Sequence, residues 1–196
     1  MIRTSDISCL ILASGASSRF GSSKLLHELD VADGSRTKIA ILEKTINIYA
    51  QAFDKVNVVV RETDSAIIRL VESQGACCIP TANADKGLSQ TIIAGINATS
   101  PSKAWLIALG DMPYVSTRTV EAIASQSSAD HIVVPRSKLG NGNPVALGKR
   151  FEHELLNLRG DVGAKPLVKQ HVNRVQFYDC DDHGIHQDID YPKDIL

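Results

Sequence analysis

The chain has 196 residues, 43% of them apolar and 22% charged, with a formal net charge of -1. That is enough for one domain with a full core, and the lack of a basic bias argues against nucleic acid as a partner. The apolar run inside "MIRTSDISCLILASG" is too short to span a membrane.

Gly and Ser follow that run at once and it opens the fold, so we read it as a retained strand of a cytoplasmic protein rather than a cleaved leader. The four cysteines, Cys9, Cys77, Cys78 and Cys180, include no C-x-x-C pair. We read them as buried free thiols in a reducing compartment.

In chain order, "ISCLILA" (7–13) is a continuous apolar run, as in a strand covered on both faces. "KIAILEKTINIYAQAF" (38–53) carries Ile39, Leu42, Ile46 and Tyr49 at helical spacing. A strand is expected over 55–61, a helix over 64–75 stopped by Gly75, and a short strand over 76–80. "SQTIIAGINATS" (89–100) reads as a helix with Ser89 as N-cap. Next come a buried strand over 104–111, a helix over 116–128, and strands over 131–135 and 142–148. Helices over 149–158 and 163–172 and strands over 174–180 and 187–191 complete the chain. This alternation predicts an α/β/α sandwich around a largely parallel sheet. Ligands of such sheets lie beyond the carboxyl ends of the strands, which selects the loops after Ala13, Pro80 and Leu109.

The first of these loops, "LASGASSRFGSSK" (12–24), has little apolar surface and many exposed N–H groups. Gly15 and Gly21 permit close backbone approach, and Ser17, Ser18, Ser22 and Ser23 add hydroxyls. Arg19 offers a planar fork for phosphate oxygens and Lys24 a mobile point charge. We read the loop as a phosphate cradle. It is neither a Walker A loop, since Gly15 and Gly21 are six apart and no Lys follows the second, nor a G-x-G-x-x-G fingerprint. In "LGDMP" (109–113), Asp111 follows a strand and a Gly, so its carboxylate can reach the same cleft and hold a hard cation. In "DIDYP" (188–192), Asp188 and Asp190 share one face of an extended segment.

The pattern L-A-x-G-x-S-x-R-x-G-x-x-K, formed by Leu12, Ala13, Gly15, Ser17, Arg19, Gly21 and Lys24, resembles the signature of the molybdenum-cofactor nucleotidyltransferase family. Ser14 takes the position where that family has Ala or Gly. The resemblance implies a Rossmann-like fold of the nucleotide-diphospho-sugar transferase type. It also implies that the first loop wraps a triphosphate, with Arg19 and Lys24 on the phosphates. Asp111 would then bind Mg²⁺ (or Mn²⁺) together with Asp190 or Asp188. "KGLSQTIIAG" (86–95) resembles the segment of the cytidylyltransferase branch, which implies CTP rather than GTP and places Gly87 and Ser89 at the nucleotide. "GNGNPVALG" (140–148) and "LRGDVGAKPLV" (158–168) resemble segments lining the acceptor side, through Asn143, Pro144, Gly160 and Asp161. Asn143 stands where the family often has His, and Asp161 reads equally as a helix N-cap.

The reaction so implied is transfer of CMP from CTP to a phosphorylated acceptor, molybdopterin by resemblance, with release of pyrophosphate. A GTP-dependent transferase, a cytidylyltransferase for another small phosphate, and a non-catalytic carrier serving a client molybdoenzyme are the alternatives. His183 and His186 lie three apart near several Asp residues, but Gly184 argues against a helix that would align them for a transition metal. Residues 27–38 have no functional reading.

Overall fold

A computed structural model describes residues 6–15, 20, 23–30 and 38–195. The strand β1 (Ile7–Ala13) is followed by a small antiparallel pair, β2 (Glu28–Asp30) and β3 (Lys38–Ala40). Then come α1 (Ile41–Ala50), β4 (Val56–Arg61), α2 (Ser65–Ser73), β5 (Cys77–Thr81) and α3 (Leu88–Thr99). After β6 (Ala104–Leu109) and α4 (Thr117–Gln126), the strands β7 (Ile132–Ser137), β8 (Gly140–Asn141) and β9 (Val145–Gly148) lead to α5 (Glu152–Leu156), α6 (Lys165–Gln170) and β10 (Val175–Asp179).

The main sheet has the order β10-β7-β9-β6-β1-β4-β5, with β8 paired to β7. Its heart, β6-β1-β4-β5, is parallel, as alternation with helices requires. The expectation of a largely parallel sheet needs one qualification. β9 runs antiparallel to both β6 and β7, and β8 antiparallel to β7. No helix separates β7 from β9, so the chain returns by a hairpin-like path rather than a crossover.

Strand alternation feeds two cores. Cys9 and Ile11 of β1 and Leu106 of β6 face α1, α2 and α4, through Leu42, Ile46, Ile67 and Ile123. Leu10 and Leu12 of β1 and Trp105 of β6 face α3, α5 and α6, through Ile92, Ile96, Leu155 and Leu167. Three layers result, and each fully buried Leu or Ile contributes about 1.5–3 kcal/mol. Trp105 is wholly buried and its indole N–H donates to Thr99 Oγ1 at 3.0 Å, so its polar atom is satisfied.

Four local expectations are corrected. The run 38–53 is not one helix: Lys38–Ala40 pairs with β2, and the helix begins at Ile41. The apolar set facing the core from that helix is Ile41, Leu42, Ile46 and Tyr49, and Ile39 belongs to the strand. Gly87, not Ser89, is the N-cap of α3; Ser89 lies inside the first turn, fully buried. The segment 187–191 is irregular rather than a strand: Ile189 N–H donates to the Asp111 carbonyl, past the end of β6, and no ladder forms. His183–His186 forms a short 3-10 turn, in which His186 Nε2 hydrogen-bonds Ser137 Oγ at 2.8 Å. Only Cys9 of the four free cysteines is fully buried; the other three are half-buried. Among the described residues no helix is long and apolar enough to cross a membrane.

Candidate active site

The carboxyl ends of β1, β4, β5 and β6 open onto a cleft of about 700 Å³. Ser14 and Gly15 enter it from β1, Arg61 from β4, Ala84, Asp85 and Gly87 from the loop after β5, and Asp111 from the loop after β6. Phe20, Lys24, Leu88, Thr91, Asp161, Asp188 and Asp190 complete the lining. All three loops selected from the sequence therefore contribute to one cavity.

Backbone bonds set the position of Asp111. Gly110 N–H donates to the Leu12 carbonyl at 2.9 Å, and Thr45 Oγ1 donates to the Gly110 carbonyl at 3.1 Å. The Asp111 carbonyl in turn accepts from Ile189 N–H at 3.0 Å. With Ile189 fully buried, its neighbours Asp188 and Asp190 both face the cleft. The alternation expected of an extended segment thus operates without a strand. Asp194 closes the turn beyond, accepting from Asp190 N–H at 3.0 Å and Tyr191 N–H at 2.8 Å.

Lys24 stands between the acidic groups. Its Nζ lies 2.7 Å from Asp111 Oδ2 and 3.1 Å from Asp190 Oδ1. Burial works against the Lys24 charge, but the two carboxylates outweigh it and raise the ammonium's pKa. For Asp111 burial dominates: its pKa is raised although Lys24 pulls the other way, and nearby Asp188 adds to the rise. Asp111 Oδ1 is buried and has no hydrogen-bond partner among the described residues. An orphaned buried carboxylate oxygen is costly and marks a place for a cation or a donor.

On the other wall, Asp161 Oδ1 accepts from Leu88 N–H at 3.2 Å, and the Gly160 carbonyl accepts from Ser89 N–H at 3.2 Å. Asp161 therefore caps α3, a helix distant in sequence, rather than the helix that follows it. The first N–H groups of α3 are consequently engaged by protein rather than open to a ligand. Gly87 has a φ of 99° and approaches Gly160 so closely that a Cβ would lie 2.6 Å from its carbonyl carbon. Ser14 Oγ and Thr91 Oγ1 share a 2.5 Å hydrogen bond that ties the first loop to α3.

Of the residues singled out from the sequence, Ser14, Gly15, Lys24, Gly87, Asp111, Asp161, Asp188 and Asp190 line the cleft. Leu12 and Ala13 lie just below it in β1, with their side chains in the two cores. Ser89 is buried beneath the lining, and Gly160 sits behind Asp161. Asn143 and Pro144 are outside the lining; Asn143 N–H donates to the Ile185 carbonyl at 3.0 Å. Ser17, Arg19 and Gly21 lie outside the described residues. Sequence reasoning missed Arg61, which pairs with Asp85 and reaches toward the Ser14 carbonyl at 3.4 Å. Its position at the carboxyl end of a parallel strand was the available signal.

Residues 9–175 match the model of the MobA-like NTP transferase domain. The chain belongs to that family. The structure of Rv0371c from Mycobacterium tuberculosis H37Rv is similar over 96% of this chain and 94% of that one, with 26% identity and a TM-score of 0.82. A structure of Rv0371c in complex with manganese is similar over 96% and 95%, with 25% identity and a TM-score of 0.78. A nucleotidyl transferase from Methanothermobacter thermautotroptrophicus (Mth528) shares the fold at 21% identity, with a TM-score of 0.79 over 96% and 93% of the two chains. No curated protein sequence matches the chain. This member of the MobA-like family is an enzyme of the nucleotidyltransferase type.

Proposed function

We propose that the protein transfers the CMP moiety of CTP to a phosphorylated acceptor, with release of pyrophosphate, and that the acceptor is the molybdenum cofactor. One observation carries this reading: Lys24, Asp111 and Asp190 form a single charged cluster on the wall of a cleft built from the strand ends. The choice of CTP rests on "KGLSQTIIAG", whose Gly87, Leu88 and Thr91 line that cleft.

The residues present fit a divalent cation. Asp111 has a buried oxygen without a partner among the described residues, and Asp188 and Asp190 line the same cleft. Small hard cations bind through one or two carboxylates and take their remaining oxygens from water and substrate phosphates. The same described residues hold no ready-made cage of three or more such ligands. Asp111 with Asp190 or Asp188 would hold Mg²⁺ or Mn²⁺, and the manganese complex of the mycobacterial relative supports divalent-ion use. Such an ion would supply charge neutralisation for the phosphates at the reacting centre.

The remaining work falls to the chain's own groups. The first loop orients the triphosphate for in-line attack on the α-phosphorus, and no covalent nucleophile is needed. Arg19 and Lys24 stabilise the charge that develops on departing pyrophosphate. Arg61, paired with Asp85, adds a second cation to the cleft lining. Arg61→Ala is expected to weaken nucleotide binding about tenfold, near 1.4 kcal/mol, measured by calorimetric titration. Unchanged affinity would return Arg61 to a structural role.

The deciding experiment is a thermal-shift panel of all four nucleoside triphosphates with Mg²⁺. CTP at about 100 times its Kd is expected to stabilise by about 2.7 kcal/mol, or roughly 5–10 °C for a chain of this size. A larger shift with GTP would favour guanylyl transfer. No shift with any nucleotide would sink the reading. Pyrophosphate release with the molybdenum cofactor, compared with small sugar or alcohol phosphates, then tests the acceptor. Nucleotide binding without pyrophosphate release would favour the carrier.

A further inference from the structure

The cleft wall already carries a cation of its own. Lys24 Nζ is within hydrogen-bond reach of both Asp111 and Asp190, and its side chain is only 11% exposed. Among the described residues the lining has five carboxylates, Asp85, Asp111, Asp161, Asp188 and Asp190, against two cations, Lys24 and Arg61. Arg61 is engaged by Asp85. Lys24 is therefore the cation that offsets the acidic end of the cleft. A divalent ion shared by Asp111 and Asp190 would need the place of this ammonium, which contacts Asp111 Oδ2 and Asp190 Oδ1 and leaves only Asp111 Oδ1 without a partner among the described residues. Lysine suits exchange: its ammonium is a point charge on a flexible four-carbon stem, free to change partners without a backbone shift.

We propose that Lys24 is a displaceable counter-ion, which occupies the cation position between Asp111 and Asp190 in the ligand-free protein and yields it when a divalent ion enters with the triphosphate. The released ammonium then finds phosphate oxygens as new partners. Metal and nucleotide consequently strengthen one another's binding, reciprocally, beyond what they gain by contacting each other. Free metal alone is held poorly because it must evict Lys24 without offering it anything in exchange. This inference rests on the metal–nucleotide reading above and adds to it a role for Lys24 before the nucleotide arrives.

The test is Mn²⁺ titration without nucleotide, followed by the electron paramagnetic resonance of the free ion, on the wild type and on Lys24→Met and Lys24→Gln. Both variants are expected to bind Mn²⁺ at least tenfold more tightly than the wild type, and adding Asp111→Asn should abolish the gain. The wild type should gain Mn²⁺ affinity when a non-hydrolysable CTP analogue is present. In the wild type, where folding is not in question, saturating Mn²⁺ should also raise the rate of reductive methylation at Lys24, read by mass spectrometry. Variants that bind Mn²⁺ no better, or a methylation rate unmoved by Mn²⁺, overturn the role given to Lys24 and leave the metal–nucleotide reading standing, provided the wild type binds Mn²⁺ with the analogue. No Mn²⁺ binding in any form, with or without the analogue, overturns both.

Discussion

Asp111→Asn will lower pyrophosphate release by roughly 10²- to 10³-fold or more, the usual cost of about 2.7 to 4 kcal/mol for removing a positioned charge at a reacting centre. The melting temperature should hardly change. The Asp111 main chain is held by its own carbonyl, which accepts from Ile189 N–H, and the substitution leaves that bond intact. Lys24 keeps Asp190 at 3.1 Å. The sign of the electrostatic contribution points the same way. Burial raises the Asp111 pKa, so its contribution to stability is fully present below the ordinary carboxylate range and is lost as pH rises through the higher, folded value. At neutral pH the ionised carboxylate is a burden on the folded state when no metal is bound, and a neutral amide of the same shape removes it. Turnover and melting should be measured on one preparation. Near-normal turnover would remove Asp111 from the reaction, and a collapsed melting curve would make it a folding residue instead.

Gly184→Ala is expected to damage both stability and activity, for a reason of space rather than chemistry. A Cβ at Gly184 would lie 1.9 Å from the Tyr114 carbonyl oxygen and 2.6 Å from Val115 N. Both are backbone atoms, which cannot rotate aside. The His183–His186 turn would have to lift from the loop that follows Asp111. Ile185 and Ile189, both fully buried, would shift with it, and Asp188 and Asp190 would leave their places in the cleft. Overpacking of this kind costs about 2–3 kcal/mol or more, a fall of roughly 4–12 °C in Tm, with a parallel loss of turnover. A Tm within a degree of wild type and normal turnover would show that this turn does not position the acidic segment.

The parts of the molecule that sequence revealed are those whose signal is local. Near-continuous apolar runs gave away β1, β4 and β6, because strands covered on both faces favour apolar residues at most positions. The Gly- and Ser-laden first loop stood out for the opposite reason. Asp111 was legible because it directly follows a buried strand. The errors arose where distant contacts override local pattern. Lys38–Ala40 carries helical spacing but is claimed by the β2 strand. Ser89 has the chemistry of a cap, yet packing draws it into the interior while Gly160 and Asp161 engage the start of α3. Arg61 gave no motif, only its place at the end of β4.

By itself, the sequence determined the alternation of strands and helices, the loops that reach the cleft and the acidic residues that line it, since periodicity and turn chemistry act over a few residues. Tertiary structure alone decided that Lys24 meets Asp111 and Asp190, 87 and 166 positions away. It also decided that β9 runs against its neighbours, and that Asp161 closes a helix remote from it in sequence. Such pairings follow from how whole layers pack, and packing energy is shared among residues that no local window contains together.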